Sequence, residues 1–401
     1  MTSTARWLEV HRLAVAGREA GIARKIGGVL GRVWLARSRF ADVARLTEYT
    51  LTLGDDARAR YQMGWAQHST GSPWAALSSY ARALELYRTA HDRGNEAATL
   101  SNIGLVYDGL GDRRQALAYY ERALLILREV GDRAGEAATF NNIGLVHDGL
   151  GDRRQALAYY ERALLILREV GDRAGEATTL NNIGLVYKRL GDREQALAYY
   201  ERALLILREV GDRAGEATTL NNIGGVYDGL GDRRQALAYF EQALPITREV
   251  GDRAGEATTL NNIGGVYHGR GDGQQALTYY EQALPITREV GDRAGEATSL
   301  NNIGGVYHGL GDRQGALTYY EQVLLILREV GDRFGEAITR YNVAMIYRRG
   351  GELDRAVVEL EQVVDLDRQV GHPDLESDTA MLDQVRREQQ QGGSATGAQP
   401  P

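Results

Sequence analysis

Few residues in this chain are spaced for chemistry, and those that are form a series of amides. Asparagine recurs at a 40-residue interval, at Asn102, Asn142, Asn182, Asn222, Asn262, Asn302 and Asn342. An amide side chain donates and accepts hydrogen bonds at once. A column of amides can therefore hold both the N–H and the C=O of an extended backbone, whatever its sequence. Asparagine is a poor helix-interior residue because its amide competes for the backbone, which makes its recurrence inside helices informative. Other chemistries lack their residues. The chain has no cysteine, which excludes disulfides, thiolate zinc sites and cysteine nucleophiles. A Walker motif needs lysine followed by serine or threonine, and the two lysines, Lys25 and Lys188, precede Ile26 and Arg189. The histidines include His268 and His308, one copy apart, but no pair with the H-x-x-x-H spacing of a helical metal site. Recurring carboxylates such as Asp192 and Glu201 are accounted for by helix capping and solvation. No catalytic residue, metal or cofactor is expected.

Bulk properties agree with a binding role. The 401 residues are 43% apolar and 25% charged, with a net charge of −7, which gives no basic footprint for nucleic acid. The first residues carry Glu9, His11 and Arg12 where a signal peptide needs an apolar run. No stretch approaches the roughly 20 apolar residues of a membrane span. A cytoplasmic, non-membrane protein is the expectation.

The elements that position the amides come from a repeated block. Residues 133–172 and 173–212 differ at only six positions (138/178, 140/180, 147/187, 148/188, 149/189 and 154/194). A fixed period of this size specifies stacked supersecondary units, not one closed core. In the second of these copies Asp172 is placed to N-cap a helix over 173–190 that ends at Gly191. Asp192 caps the next, with Gln195 three residues on in capping-box spacing. That helix runs to Val210, before Gly211 supplies a residue suited to left-handed backbone. A helical wheel gathers Leu180, Ile183, Gly184, Tyr187 and Leu190 on the packing arc of the first helix. It gathers Ala196, Leu197, Tyr200, Ala203, Leu204, Leu207 and Val210 on that of the second. Glycine at 184 costs about 1 kcal/mol of helix propensity, so close backbone approach of the partner helix is expected there.

The pattern Leu180, Ile183, Gly184, Tyr187, Ala196, Tyr200 and Ala203 resembles the tetratricopeptide repeat, and it recurs in six consecutive copies. The resemblance implies an all-α solenoid, a right-handed superhelix of antiparallel helix pairs whose concave groove holds an extended peptide. Arg208 stands where the family has a proline, and the second helix continues past it. That lengthened form resembles the 40-residue subclass of kinesin light chain, whose repeats use an asparagine ladder. The family's chaperone-tail clamp needs lysines where this chain has Thr178, Asn181 and their counterparts, so that role is not expected. The chain is also similar to the repeat arm that follows the ATPase module in bacterial signalling proteins of the NB-ARC type.

The expected organisation is a helical region over 1–52, eight copies over 53–372, a polar capping helix over 373–391 and a disordered tail over 392–401. Residues 20–52 can form a further, shorter pair, with Leu30, Gly31 and Trp34 at packing positions. Opposite the packing arc of the first helix lie Thr178, Asn181, Asn182, Leu185, Lys188 and Arg189, the face that lines the groove in the resembled family. Copies differ mostly on this face. The register of Leu185 reads Leu105, Leu145 and Leu185, then Gly225, Gly265 and Gly305, then Met345. The register of Lys188 includes Asp108, Asp148, Asp228, His268, His308 and Arg348. The leucines can seat an apolar ligand side chain. The pairs Lys188/Arg189 and Arg348/Arg349 can hold a ligand carboxylate, or merely complement the helix macrodipole. Near-identical copies are not independent observations. Asn342, which stays while its neighbour becomes Tyr341, and the amide Gln62 in the degenerate first copy are better witnesses. The competing reading is that Asn182 bonds a neighbouring helix or is solvated.

On the opposite side Leu125, Leu165, Leu205 and Leu325 point outward, with Pro245 and Pro285 at the same register. The expected function is non-enzymatic binding of an extended protein segment in the groove. An assembly scaffold acting through end-to-end or convex contacts, and a short-peptide sensor gating another protein, are the alternatives.

Overall fold

The computed structural model describes residues 3–396, which form twenty helices and no strand. Their order is α1 (Ser3–Ala16), α2 (Ala20–Leu35), α3 (Phe40–Leu51), α4 (Ala57–Ser69) and α5 (Pro73–Thr89). Next come α6 (Arg93–Gly109), α7 (Arg113–Val130), α8 (Arg133–Gly149), α9 (Arg153–Val170) and α10 (Arg173–Leu190). Then follow α11 (Arg193–Val210), α12 (Arg213–Gly229), α13 (Arg233–Val250), α14 (Arg253–Gly269) and α15 (Gly273–Val290). The last are α16 (Arg293–Gly309), α17 (Arg313–Val330), α18 (Arg333–Arg349), α19 (Leu353–Val370) and α20 (Leu375–Thr396). The chain divides inside α11 into a first unit, 1–206, and a second, 207–401.

Local signals set the helix ends. The Asp172 carboxylate accepts from the Gly175 N–H at 2.9 Å, and that of Asp192 from the Gln195 N–H at 3.1 Å, each satisfying one orphan donor of a first turn. Between them Gly191 adopts φ +82°. Its N–H reaches Lys188 O at 3.1 Å while the Asp192 N–H reaches Tyr187 O at 3.0 Å. These paired bonds form the Schellman arrangement, which is strained for a residue with a Cβ.

Each repeat buries one face of both its helices. α6 contributes Ala97, Leu100, Ile103 and Val106 to a core shared with Ala76, Tyr80 and Leu84 of α5 and Ala123, Ile126 and Leu127 of α7. The next core joins α7, α8 and α9 in the same way. In the second unit Ala236, Leu237 and Phe240 of α13 close on Ile263 and Val266 of α14. Every second helix thus serves two neighbours. Burying one such Leu, Ile or Phe contributes about 1.5–3 kcal/mol, so stacking stabilises helices that would not persist alone.

The glycine expectation needs one change. A Cβ on Gly184 would lie 2.7 Å from Cε1 of Tyr200, so a buried ring, not the partner backbone, occupies the space. At the N-terminal end α2 and α3 form a pair, with Leu30 and Trp34 buried beside Val43 and Leu46. At the other end α20 packs on α19 and stays helical to Thr396, past the expected boundary at 391. The remainder of the expected disordered tail, 397–401, lies outside the described residues. Pro245 and Pro285 sit within continuous helices on exposed positions.

Candidate functional site

Five first helices, α8, α10, α12, α14 and α16, carry two adjacent asparagines, while α6 and α18 carry only the second, after Ser101 and Tyr341. At three junctions the first of the pair stitches copies together. Asn141 Nδ2 donates to Thr179 Oγ1 at 2.8 Å, Asn221 to Thr259 Oγ1 at 2.8 Å and Asn261 to Ser299 Oγ at 2.9 Å. The hydroxyls in turn donate to their own helices: Thr179 to Gly175 O at 2.9 Å and Thr259 to Gly255 O at 2.7 Å. Residues in the register of Asn181, placed on the ligand face by the wheel alone, are therefore engaged in inter-repeat contacts at these junctions.

The second amide of the pair remains half-buried. Among the described residues, Asn142 and Asn182 of the first unit and Asn262, Asn302 and Asn342 of the second have no side-chain hydrogen bond. The series has exceptions. Asn102 donates to the Tyr61 hydroxyl at 2.8 Å, and Asn222 is also engaged within the chain. Gln62 is buried and donates to Gly28 O at 3.0 Å. A Cβ on Gly31 would overlap its amide, so Gln62 is a packing residue.

Flanking positions differ between the units. In the first, Leu105 and Leu145 are 40% and 43% exposed, and Leu185 is half-buried, an apolar strip beside the amides. The basic residues are occupied. Arg189 pairs with the buried carboxylate of Asp148, and Lys188 also has a partner. In the second unit Arg348 forks onto Glu388 of α20, with Nε at 2.9 Å and Nη2 at 2.5 Å. Arg349 Nη1 lies 2.9 Å from His308 Nε2. Burial and then the Arg349 charge push the His308 imidazole below its ordinary value, which leaves that nitrogen free to accept. A ligand carboxylate at either basic pair would have to displace an internal partner. Asp108, in the same register, has its carboxyl raised by burial, with Arg113 pulling less strongly the other way.

The tetratricopeptide repeat model matches residues 95–169, 175–249, 255–329 and 304–369, more than half of the chain. The chain belongs to the tetratricopeptide repeat family. No curated protein sequence matches it. Solved structures give the same fold at low identity. A signal-transduction ATPase with numerous domains and a tetratricopeptide repeat sensor, from Pyrococcus horikoshii, aligns with TM-score 0.63 and 13% identity over 90% of this chain and 54% of its own. The apo quorum sensor NprR from B. thuringiensis aligns with TM-score 0.61 and 14% identity over 90% and 97%. Aspartyl phosphate phosphatase F from Bacillus subtilis aligns with TM-score 0.56 and 14% identity over 91% and 94%. A tetratricopeptide solenoid is a protein-interaction scaffold. No helix among the described residues is long and apolar enough to cross a membrane.

Two features of the repeats escaped the sequence reading. One is a carboxylate clamp at the start of α6, α8, α10, α12, α14 and α16. Glu136, nearly buried, accepts from Arg128 Nε at 2.8 Å and Arg133 Nη1 at 2.5 Å, and Arg133 reaches on to Glu169 at 2.6 Å. Its signal was available in the recurring Arg-Glu-Val-Gly-Asp-Arg run followed by glutamate. The other is a cluster of carboxylates where α19 meets α20. Its signal was Asp367, standing where Leu327 and Leu167 stand in other copies.

Proposed function

We propose that this chain is a non-enzymatic interaction module that holds an extended peptide or protein segment along the first helices of its repeats. The observation that carries the reading is the set of unpaired, half-buried amides. Asn142 and Asn182 lie one repeat apart in the first unit, and Asn262, Asn302 and Asn342 in the second. Each has a donor and an acceptor unused inside the protein. Leu105, Leu145 and Leu185 supply apolar contact in the first unit. Lys188, Arg189, Arg348 and Arg349 act as selectivity residues whose internal partners are exchanged for ligand carboxylates. No cofactor and no nucleic acid are involved, and the setting is cytoplasmic.

The test is selection of peptides from a random display library, followed by affinity measurement on the wild type and on Asn142→Ala/Asn182→Ala/Asn262→Ala/Asn302→Ala. One hydrogen bond contributes about 0.5–1.5 kcal/mol. Two lost bonds in either unit therefore lower affinity by about 5–150-fold. Unchanged affinity for every selected peptide would sink the amide reading. A scaffold acting through Leu125 and Leu165, each 62% exposed, predicts instead concentration-dependent sedimentation that Leu125→Ser/Leu165→Ser abolishes.

A further inference from the structure

The junction of α19 and α20 breaks the pattern of the second unit. Asp367 occupies the register of Thr247, Thr287 and Leu327, all of them buried. There the threonine hydroxyls close onto their own helices, Thr247 on Leu244 O and Thr287 on Leu284 O at 2.8 Å each. Asp367 has no such outlet. It is fully buried, and no N–H or O–H donor reaches its carboxylate oxygens while Asp378 is ionised. An unpaired carboxylate in the interior is costly unless something satisfies it.

Asp367 faces a cavity of about 340 Å³ that it lines with Ile338 and Tyr341 of α18, His372, Asp374 and Asp378. The His372 Nδ1 accepts from the Asp374 N–H at 3.0 Å and lies 3.9 Å from Asp367 Oδ1, beyond hydrogen-bond reach. Phe334 stacks on the ring at 4.2 Å. No lysine or arginine lines the cavity. Nearby arginines are committed elsewhere: Arg340 to Glu336 and Glu359, Arg333 to Gln369. Burial, then the Asp367 charge, a hydrogen bond to Asp367 and the Asp374 charge, push the Asp378 carboxyl up to about 6, with His372 pulling the other way. The crowding is what an incoming positive charge would relieve. Among the described residues no three such side chains converge on a metal-sized point. That favours a larger cation with N–H donors.

We propose that this cavity binds an organic cation, a primary ammonium or a guanidinium carried by a peptide or protein. Asp378 accepts its N–H donors, Asp367 behind it adds a second negative charge, and Ile338 and Tyr341 flank the carbon stem. The site goes beyond the amide stripe and does not depend on it. Ile338 and Tyr341 lie on the Asn342 face of α18, so a segment held there could place a basic group in the cavity.

The experiment titrates the full chain by isothermal calorimetry at neutral pH with four tripeptide amides too short to span two repeats. Acetyl-Ala-Lys-Ala, acetyl-Ala-Arg-Ala and Ala-Ala-Ala with a free amino terminus carry the cation. Acetyl-Ala-Ala-Ala is the neutral control. At least one cationic probe is expected to bind at least tenfold more tightly than the control, and the one that binds tightest names the source of the charge. Asp367→Leu restores a residue found at this register in other copies, so it should fold. It and Asp378→Asn are each expected to weaken binding at least tenfold, while Asn262→Ala/Asn302→Ala leaves it unchanged. Cationic probes binding no better than the control would overturn the proposal. So would binding that survives Asp367→Leu with circular dichroism intact, or binding lost in the asparagine variant.

Discussion

Gly184 and Tyr200 show how a single pair of residues sets the spacing inside a repeat. The Tyr200 ring is fully buried and fills the place of a side chain at 184, with Cε1 2.7 Å from where a Cβ would stand. The same contact recurs between Gly224 and Phe240 and between Gly264 and Tyr280, each at 2.6 Å. Gly184→Ala gains about 1 kcal/mol of helix propensity and loses about 1–3 kcal/mol to overpacking. The ring cannot swing away, because its own neighbours hold it. We expect net destabilisation, read as a lower midpoint in thermal unfolding; a raised midpoint would refute the packing account. The glycine was legible in the sequence as a site of close approach. The occupant was not, since a helical wheel gives direction and not reach. The same limit applies to the amides. Asn181 and Asn182 fall on one broad face of the wheel, and only the position of the next helix tells an inter-repeat stitch such as Asn141–Thr179 from an amide left open.

At the scale of the helix, aspartate caps and glycine turns were readable because they act within a few residues of sequence. The helices expected over 173–190 and 193–210 are found as Arg173–Leu190 and Arg193–Val210. The clamps that join helices are less local. Arg128, Arg133 and Glu136 come from the end of one helix and the start of the next, and Asp148 meets Arg189 from one copy further on. The clamp glutamates make stability pH-dependent. Burial alone would raise the carboxyls of Glu96, Glu136, Glu256 and Glu296, but two guanidiniums each bring them net below the ordinary glutamate value. A carboxyl with a depressed folded pKa contributes stability that is present above its unfolded value. That stability is lost as pH falls through the folded one. Acid titration followed by circular dichroism should therefore show a transition below the ordinary glutamate range. Glu136→Gln should lower stability at neutral pH by about 1 kcal/mol, a modest figure because the guanidiniums are half-exposed. It should also make the acid transition shallower. An unchanged acid transition after substitution of several clamp glutamates would place the pH sensitivity elsewhere.

For the whole molecule, the repeat makes removal of one copy a defined experiment. α7 and α9 have the same sequence. Deleting 133–172 brings α7 against α10 with every contacting residue of α9 replaced by its identical counterpart. Asp132 takes the place of Asp172 as N-cap, Ser101 faces Thr179 as it faces Thr139 at 3.4 Å in the intact chain, and Asp108 takes the register of Asp148 opposite Arg189. Stability in such stacks is close to a sum of repeat and nearest-neighbour interface terms, so the shortened chain loses one of each and keeps the rest. It should fold, with ellipticity per residue unchanged and a smaller denaturant m-value, since m scales with the surface exposed on unfolding. Deleting 133–152 removes a single helix and sets the second helix α7 directly before the second helix α9. The small residues that admit Tyr160, above all Gly144, are then gone, and two faces built around Tyr120 and Tyr160 meet without a first helix between them. That chain should unfold at lower denaturant than the 40-residue deletion, although it is 20 residues longer. Equal stability of the two deletions would mean that the helix, and not the helix pair, is the unit of construction.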